Sequence, residues 1–366
     1  MNPSTPFPTL LLIPTGIGCE VGGFAGDAIP SARLLAAASG CLITHPNVMN
    51  GASLYWNDKR IQYVEGFSID RFACGDLLLR PSISQKVGVL IDAGLEPEIR
   101  QRHLQVIDGC RATLGLDIGP VILTETPLEI STTTSMSGAS WGELTSLEPL
   151  LKAGERLKEE GATAIAVVTR FPDDIEPKGL DAYRQGKGVD LISGCEAVIS
   201  HVLVHHLCIP CAHAPALAPV EMEVCLDPRA AGEELGHTFL PCVLVGLSRA
   251  PDLVKLDVLK QTTLLDRSAL ISIEQLGAVI APQGALGGEA VLGCIERGVP
   301  LIVVSNPGIS KVGLEALGVI AGENINRSMD VFIASNYLEA AGLLFALREG
   351  ISISSLNRPI ERVSLT

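Results

Sequence analysis

A chain of 366 residues in which 47% are hydrophobic and only 19% charged has ample material for one large core or for two lobes sharing a cleft. Aromatic residues contribute just 4%, so Ala, Val, Leu and Ile must fill the interior, as they do in buried parallel strands flanked by helices. A formal net charge of -14 repels a phosphate backbone and an anionic bilayer, and no apolar run approaches the roughly 20 residues that span one, so neither nucleic acid nor membrane is an expected partner.

The first predicted strand, 10–13, runs into Pro14-Thr15-Gly16-Ile17-Gly18 and Gly22-Gly23. Backbone amides there, with Gly16, Gly18, Gly22 and Gly23 as the permissive positions, form a candidate cradle for a phosphate or carboxylate. The dinucleotide pattern G-x-G-x-x-G fails, because Val21 stands where the third glycine belongs. A helix over 31–38 and a strand over 42–44 lead to His45-Pro46-Asn47, which puts an imidazole and an amide at a strand end: His45 suits acid or base work and Asn47 can polarise a carbonyl. In the stretch 53–65 the turn-prone Asn57-Asp58 between apolar runs predicts an antiparallel hairpin. Next come a strand at 87–91, a helix at 98–114 entered through Pro97, and a strand at 121–124. The Ser/Thr-rich stretch 131–137 reads as a loop, with Ser137 a candidate anion donor, and closes a first lobe of residues 1–140.

The second lobe, 141–366, opens with a helix at 149–160 and a strand at 164–169. Arg170 and Asp173 follow, a candidate anion clamp and a candidate base. A helix at 196–207 and a strand at 209–212 lead to Cys211-Ala212-His213. Period-2 spacing puts Cys211 and His213 on one face, where imidazole can activate thiolate. A competing reading joins His201, His205, Cys208 and Cys211 around zinc, although the second Cys or His pair of a structural zinc site is missing. Later elements are a helix at 230–235, strands at 242–246, 278–281, 301–304 and 331–334, and helices at 289–297 and 338–348. Arg249 is a second candidate clamp, and Asn306, in Ser305-Asn306-Pro307, a second polarising amide.

Residues 194–215 and 287–307 align almost without gaps as repeated helix–strand portions of βαβ units, each a small turn, a Glu (Glu196, Glu289), an apolar helix, a strand entered through proline and a polar loop. A looser third copy ends at His45-Pro46-Asn47. The fold expected is therefore α/β, with mainly parallel sheets, flanking helices and repeated βαβ units. Ligands of such sheets gather beyond the carboxyl ends of the strands. The three polar loops are expected to wall one pocket for a small anionic, carboxylated or phosphorylated substrate, worked on by acid/base or Cys/His chemistry as in an isomerase, lyase or hydrolase. A nucleotide-binding oxidoreductase and a non-catalytic metabolite sensor are the alternatives. No cofactor is required by the sequence, and a homo-oligomer is left open. Ten cysteines, most of them in apolar runs, are expected as reduced thiols, which points to the cytoplasm or a stroma-like reducing compartment.

The strings PTGIG from Pro14, THPNVMNGA from Thr44, TRFPDD from Thr169, PCAHAPA from Pro210 and FLPCVLVG from Phe239 resemble a family of uncharacterised proteins of cyanobacteria and photosynthetic eukaryotes. The resemblance spans nearly the whole chain and implies a photosynthetic lineage, without a catalytic assignment. The turn Gly194-x-Glu196-x-x-x-Ser200 is also similar to turns of cyanuric-acid amidohydrolases, whose repeated serines and lysines have no match here.

Overall fold

The computed structural model describes residues 6–51, 58–136, 138–172, 177–218, 222–234, 239–256, 269–318, 330–360 and 362. In chain order, β1 (Thr9–Leu11), α1 (Ile29–Ser39), β2 (Leu42–Thr44), α2 (Pro46–Met49), β3 (Ile61–Tyr63), α3 (Gly66–Ala73) and β4 (Leu77–Arg80) come first. They are followed by β5 (Val87–Ile91), α4 (Pro97–Leu114), β6 (Ile118–Leu123), β7 (Ile130–Thr134), β8 (Ser140–Leu144), α5 (Glu148–Glu159), β9 (Ala164–Arg170) and α6 (Pro177–Arg184). Then come α7 (Ser193–Leu207), β10 (Cys211–Ala216), α8 (Pro228–Glu234), α9 (Leu240–Leu247), β11 (Asp252–Lys255), β12 (Ala278–Pro282), the helix Glu289–Glu296, β13 (Leu301–Val304), β14 (Val331–Ala334) and the helix Tyr337–Arg348.

Two parallel sheets carry the fold, as expected. One has six strands in the order β14-β13-β12-β1-β2-β3, the other four in the order β10-β9-β5-β6. Strands such as β1, β2, β5 and β13 are buried throughout, which is why they read as unbroken apolar runs rather than alternating ones. In the larger sheet the chain steps outward from β1 to β3, then returns to β12 on the other side of β1 and steps the opposite way. The reversal between β1 and β12 opens a crevice at the carboxyl ends of the strands.

This topology departs from two linear lobes. The larger sheet draws on both 9–63 and 278–334, the smaller one lies wholly within 87–216, and a boundary at 140 falls inside the antiparallel β7–β8 pair. One buried cluster runs continuously from Leu11 and Leu42 of the larger sheet to Val89 and Ala166 of the smaller, with Val243 and Leu244 of α9 between them.

Three local expectations are corrected. The run 242–246 is helical: Pro241 sits in the first turn of α9, and an apolar segment buried all round has no period to tell strand from helix. At 61–63 the chain forms an edge strand parallel to β2 rather than the arm of a hairpin, while 52–57 lie outside the described residues. The Ser/Thr-rich stretch is the β7–β8 pair, and β8 braces the start of α7. Gly194 N–H donates to Ser140 Oγ at 2.9 Å, and a Cβ on Gly194 would lie 2.4 Å from the Ser140 carbonyl oxygen.

Candidate functional site

A cavity of about 300 Å³ opens where the crevice of the larger sheet faces β10 and α7. Four strand ends of the larger sheet contribute. Leu12 and Thr15 follow β1, His45 and Asn47 follow β2, Glu65 follows β3 and Ala285 follows β12, while Ser200 and His201 come from α7 and His213 from β10. The lining carries five carboxyl groups (Glu65, Asp70, Asp190, Glu196 and Glu233) and three imidazoles (His45, His201 and His213). Neither lysine nor arginine is among the described residues that line it.

His213 is held at both ring nitrogens. Ser200 Oγ lies 2.7 Å from Nδ1, and Glu196 Oε2 lies 3.2 Å from Nε2. Glu196 and Ser200 sit one turn apart on α7, so the same helix face clasps the ring from both sides. The contacts select a tautomer. In the neutral ring, a carboxylate at Nε2 requires the proton there, and the lone pair on Nδ1 then receives the Ser200 hydroxyl.

His45 is built differently. Ile13 N–H donates to Nε2 at 3.2 Å, a bond only an unprotonated nitrogen can accept, and burial drives the group down from 6.5 to about 4. The ring is therefore neutral near pH 7 and carries its proton on Nδ1. Among the described residues no acceptor answers that N–H.

A second imidazole–carboxylate pair links α7 to α3: His201 Nε2 is 2.9 Å from Glu65 Oε1. Burial works against the His201 charge, but the hydrogen bond and charge of Glu65, with Asp70 beyond, outweigh it and raise the group above its ordinary value. Glu65 also caps α3 by accepting from Phe67 N–H and Ser68 N–H.

The remaining carboxyls are each engaged by backbone amides. Asp70 accepts from Ala290 N–H at 3.0 Å and is raised to about 6 by burial, with Glu289 adding to the effect. Asp190 accepts from Ile192 N–H at 3.0 Å, and Glu233 accepts from Ala25 N–H at 3.0 Å and from the Tyr183 hydroxyl at 2.7 Å. Burial, then mutual and neighbouring negative charge, pushes Asp190 and Glu233 well above the usual carboxylate range.

The structure sorts the sequence candidates. His45, Asn47 and His213 line the cavity, and His201 joins them through Glu65 rather than through a metal. No group of three or more potential metal ligands forms among the described residues, and His205 instead meets the edge of the Phe67 ring. His213 lies within β10, which continues to Ala216, and not in a loop after it; Pro215 is tolerated because β10 is an edge strand. Cys211 shares that strand face but is fully buried. Its thiol donates to the Ile209 carbonyl and is held well above its ordinary value by burial, so the Cys211–His213 couple expected from spacing does not form.

Arg170 is a closed clamp. Its guanidinium grips Glu96 at 2.9 and 3.0 Å, away from the cavity, and Arg249 does not line the cavity either. Asn306 is 2% exposed and fastens the first loop: it accepts from Val21 N–H at 2.9 Å and donates to the Val21 carbonyl at 2.8 Å and to the Tyr337 hydroxyl oxygen at 2.9 Å. The His45 loop and the β10 segment carrying His213 therefore meet at the cavity, while the Asn306 loop does not line it and fastens Val21 instead.

The glycine loop does not present an open cradle. Gly22 N–H donates to Asp27, and a Cβ on Gly16 would lie 2.6 Å from Ser140 Oγ, one on Gly18 2.7 Å from the Gly188 carbonyl oxygen and one on Gly23 2.3 Å from the Cys19 carbonyl oxygen. Asp173 and Ser137 lie outside the described residues.

Sequence reasoning missed Glu65, Asp70, Asp190 and Glu233, and named Glu196 and Ser200 only as positions of a repeat and of an amidohydrolase-like turn. The spacing of Glu196 and Ser200 on one helix face was the available signal. Glu233 carried none, since its partners Ala25 and Tyr183 are remote in the chain.

An uncharacterized lipoprotein of Synechococcus sp. is 44% identical to this chain over 362 residues, covering 97% of this chain and 95% of that protein. A family model matches residues 8–357, in agreement with the resemblance carried by the five strings. The chain belongs to the family described as protein of unknown function DUF3326.

Proposed function

We propose that the cavity is the active site of an enzyme that activates a carbonyl group of a small, neutral or cationic metabolite. In it the Ser200–His213–Glu196 chain moves a proton, and the neutral His45 imidazole holds the carbonyl oxygen. The observation that carries this reading is His213, bonded at one nitrogen to a carboxylate and at the other to a hydroxyl that lines the cavity. A base so held keeps one tautomer and one orientation, and the imidazolium it forms on taking a proton is stabilised by Glu196.

His45 supplies the complementary part. A neutral imidazole fixed with its proton on Nδ1 is a hydrogen-bond donor to an oxygen on which negative charge develops, and it does not give that proton up near pH 7.

Charge argues for the ligand class. The amides that would hold a substrate anion are answered by the protein's own carboxyls, and no lysine or arginine is among the described lining residues, so a neutral or ammonium-bearing ligand replaces the anion expected from the sequence. The engaged glycine loop likewise weakens the dinucleotide reading.

The test is proton NMR in D2O of pooled neutral and amine-bearing aldehydes, ketones, esters and amides with the wild type, His213→Asn and Glu196→Gln. The expected result is conversion or C–H exchange of at least one compound, slowed at least ~100-fold in His213→Asn. A substrate turned over equally by that variant, or a ligand bound without any turnover, sinks the proposal; the second outcome favours a sensor.

All ten cysteines are free, which supports a reducing compartment. No helix among the described residues is long and apolar enough to cross a membrane. The Synechococcus relative is named a lipoprotein.

A further inference from the structure

We propose that Ser200 is a nucleophile and that the cavity cleaves an ester or amide through a covalent acyl-Ser200 intermediate. The proposal rests on the reading of the cavity as a carbonyl-activating site and names the atom that attacks.

Four side chains lining the cavity carry a hydroxyl or thiol: Thr15, Ser193, Ser200 and Cys242. Cys242 donates to the Phe239 carbonyl at 2.8 Å, and burial pushes its thiol to about 11, so little thiolate is present. Ser193 is tied to Ser140 Oγ at 2.7 Å and to the Asp190 carbonyl at 3.0 Å. Thr15 has no imidazole partner among the described residues. Ser200 alone of the four meets a base, at 2.7 Å.

The geometry leaves His213 no other outlet. With Nε2–H given to Glu196 and Nδ1 facing Ser200, neither nitrogen is available to touch a substrate directly while Ser200 carries its hydroxyl, so the first proton to reach the ring comes from that hydroxyl. The competing use of that hydroxyl, donation to the Glu196 carbonyl one turn back, is long at 3.4 Å. Nucleophile, base and orienting carboxylate lie on one helix and one strand, so packing of regular elements and not a loop sets their positions. The order hydroxyl, imidazole, carboxylate is that of a nucleophilic triad, with the two ring nitrogens exchanged relative to the usual wiring.

The step balances. Ser200 Oγ forms a bond to the carbonyl carbon while its proton passes to His213 Nδ1, and the carbonyl oxygen takes its charge against His45 Nδ1–H. The C–O or C–N bond to the leaving group breaks, and the alcohol or amine departs with the proton from Nδ1. Water then adds to the acyl carbon, giving a proton to His213. The Oγ–C bond breaks, the proton returns to Oγ, and the carboxylic acid is released. No redox partner is needed, and the acyl portion is neutral or cationic, as the carboxyl-rich wall requires.

The test is mass spectrometry of the full chain after incubation with phenylmethanesulfonyl fluoride and, separately, with a small alkyl fluorophosphonate. Both are neutral electrophiles of a size suited to the cavity. A single adduct mapping to Ser200 is expected. It should be absent from Ser200→Ala and form at least ~100-fold more slowly in His213→Asn. No adduct at Ser200 in the folded wild type overturns the proposal, as does labelling at an equal rate in His213→Asn. If both variants fold poorly, the wild-type map alone decides. Turnover in the NMR survey with no Ser200 adduct removes the nucleophile and leaves the proton-transfer reading standing. Absence of both turnover and adduct removes the two together.

Discussion

Replacing His45 by glutamine, which can accept the Ile13 N–H but cannot charge, isolates the cost of keeping that imidazole neutral. In the native protein burial holds His45 at about 4, against 6.5 in an unfolded chain. Between those values the unfolded state binds a proton that the folded state refuses, so stability falls as pH drops from 6.5 through 4 and is unaffected above that window. The shift corresponds to about 3 kcal/mol when complete. Urea unfolding followed by fluorescence at intervals from pH 7.5 to 4 should show the wild type losing about 3 kcal/mol more than His45→Gln over that range, roughly 1 M in the urea midpoint. The glutamine variant should start below the wild type at pH 7.5, having lost ring packing, and draw level with it on acidification. Parallel pH profiles for the two proteins would refute the reasoning, as would an imidazole signal assigned to His45 that titrates above pH 6. Either result removes the neutral donor on which the carbonyl reading depends.

The raised carboxyl Glu233 should act in the opposite direction: its folded value exceeds the unfolded one, so its contribution is full in acid and is lost as pH rises. Glu233→Gln should therefore gain stability relative to wild type between pH 5 and 8, by ~1.4 kcal/mol for each unit of the shift, read by the same unfolding series. Asn306→Ala removes three hydrogen bonds at a site 2% exposed and should cost about 2–4 kcal/mol in urea unfolding while leaving Ser200 labelling intact in the folded fraction. Cys208 ends α7 at φ +53, a conformation that favours glycine, so Cys208→Gly should raise stability by about 1 kcal/mol; a loss would show that the thiol packs more than it strains. His45→Ala should lower any turnover found about 100-fold or more at pH 7.5.

Local elements were legible to the degree that one physical signal specified them. The strands 42–44, 87–91 and 301–304 appear at the expected residues because each is a short apolar run between turn residues, buried on both faces, and 331–334 appears there as an edge strand with Ile333 exposed. Helix α4 begins at Pro97 and ends before Gly115 at φ +66, the punctuation its sequence shows. Where two structures share a signal, the reading failed. The apolar run at 242–246 fits a buried strand or a buried helix equally. What selects the helix is tertiary: Gly246 lets α9 press onto Tyr63, where a Cβ would lie 2.5 Å from the ring. Strand order was out of reach for the same reason. Nothing near β12 in the sequence announces that it returns to lie beside β1.

The site was half legible, and the missing half follows from one error about where charges meet. Glycine-rich strand ends and helix starts were read as donors waiting for a ligand's anion, a sound inference about isolated loops. In the folded chain those donors are already answered from within. Asp27 takes Gly22 N–H, Asp70 takes Ala290 N–H, Glu65 takes the first amides of α3, Asp190 takes Ile192 N–H and Glu233 takes Ala25 N–H. Two of these pairs, Asp70 with Ala290 and Glu233 with Ala25, span more than two hundred residues of chain. Carboxyls that satisfy the amides bring their own desolvation cost, which appears in the raised values of Asp70, Asp190 and Glu233, and they are the ground for proposing a neutral or cationic ligand in place of the anion the loops had suggested. An ammonium or a neutral polar group entering that space relieves the cost, whereas a carboxylate or phosphate adds to it. The proposed ligand charge thus rests partly on contacts remote in sequence, and isosteric four-carbon probes test it. 1,4-Diaminobutane should stabilise the protein against heat more than 1,4-butanediol, with succinate giving no shift; succinate outperforming the diamine would mean that some of those amides are open after all.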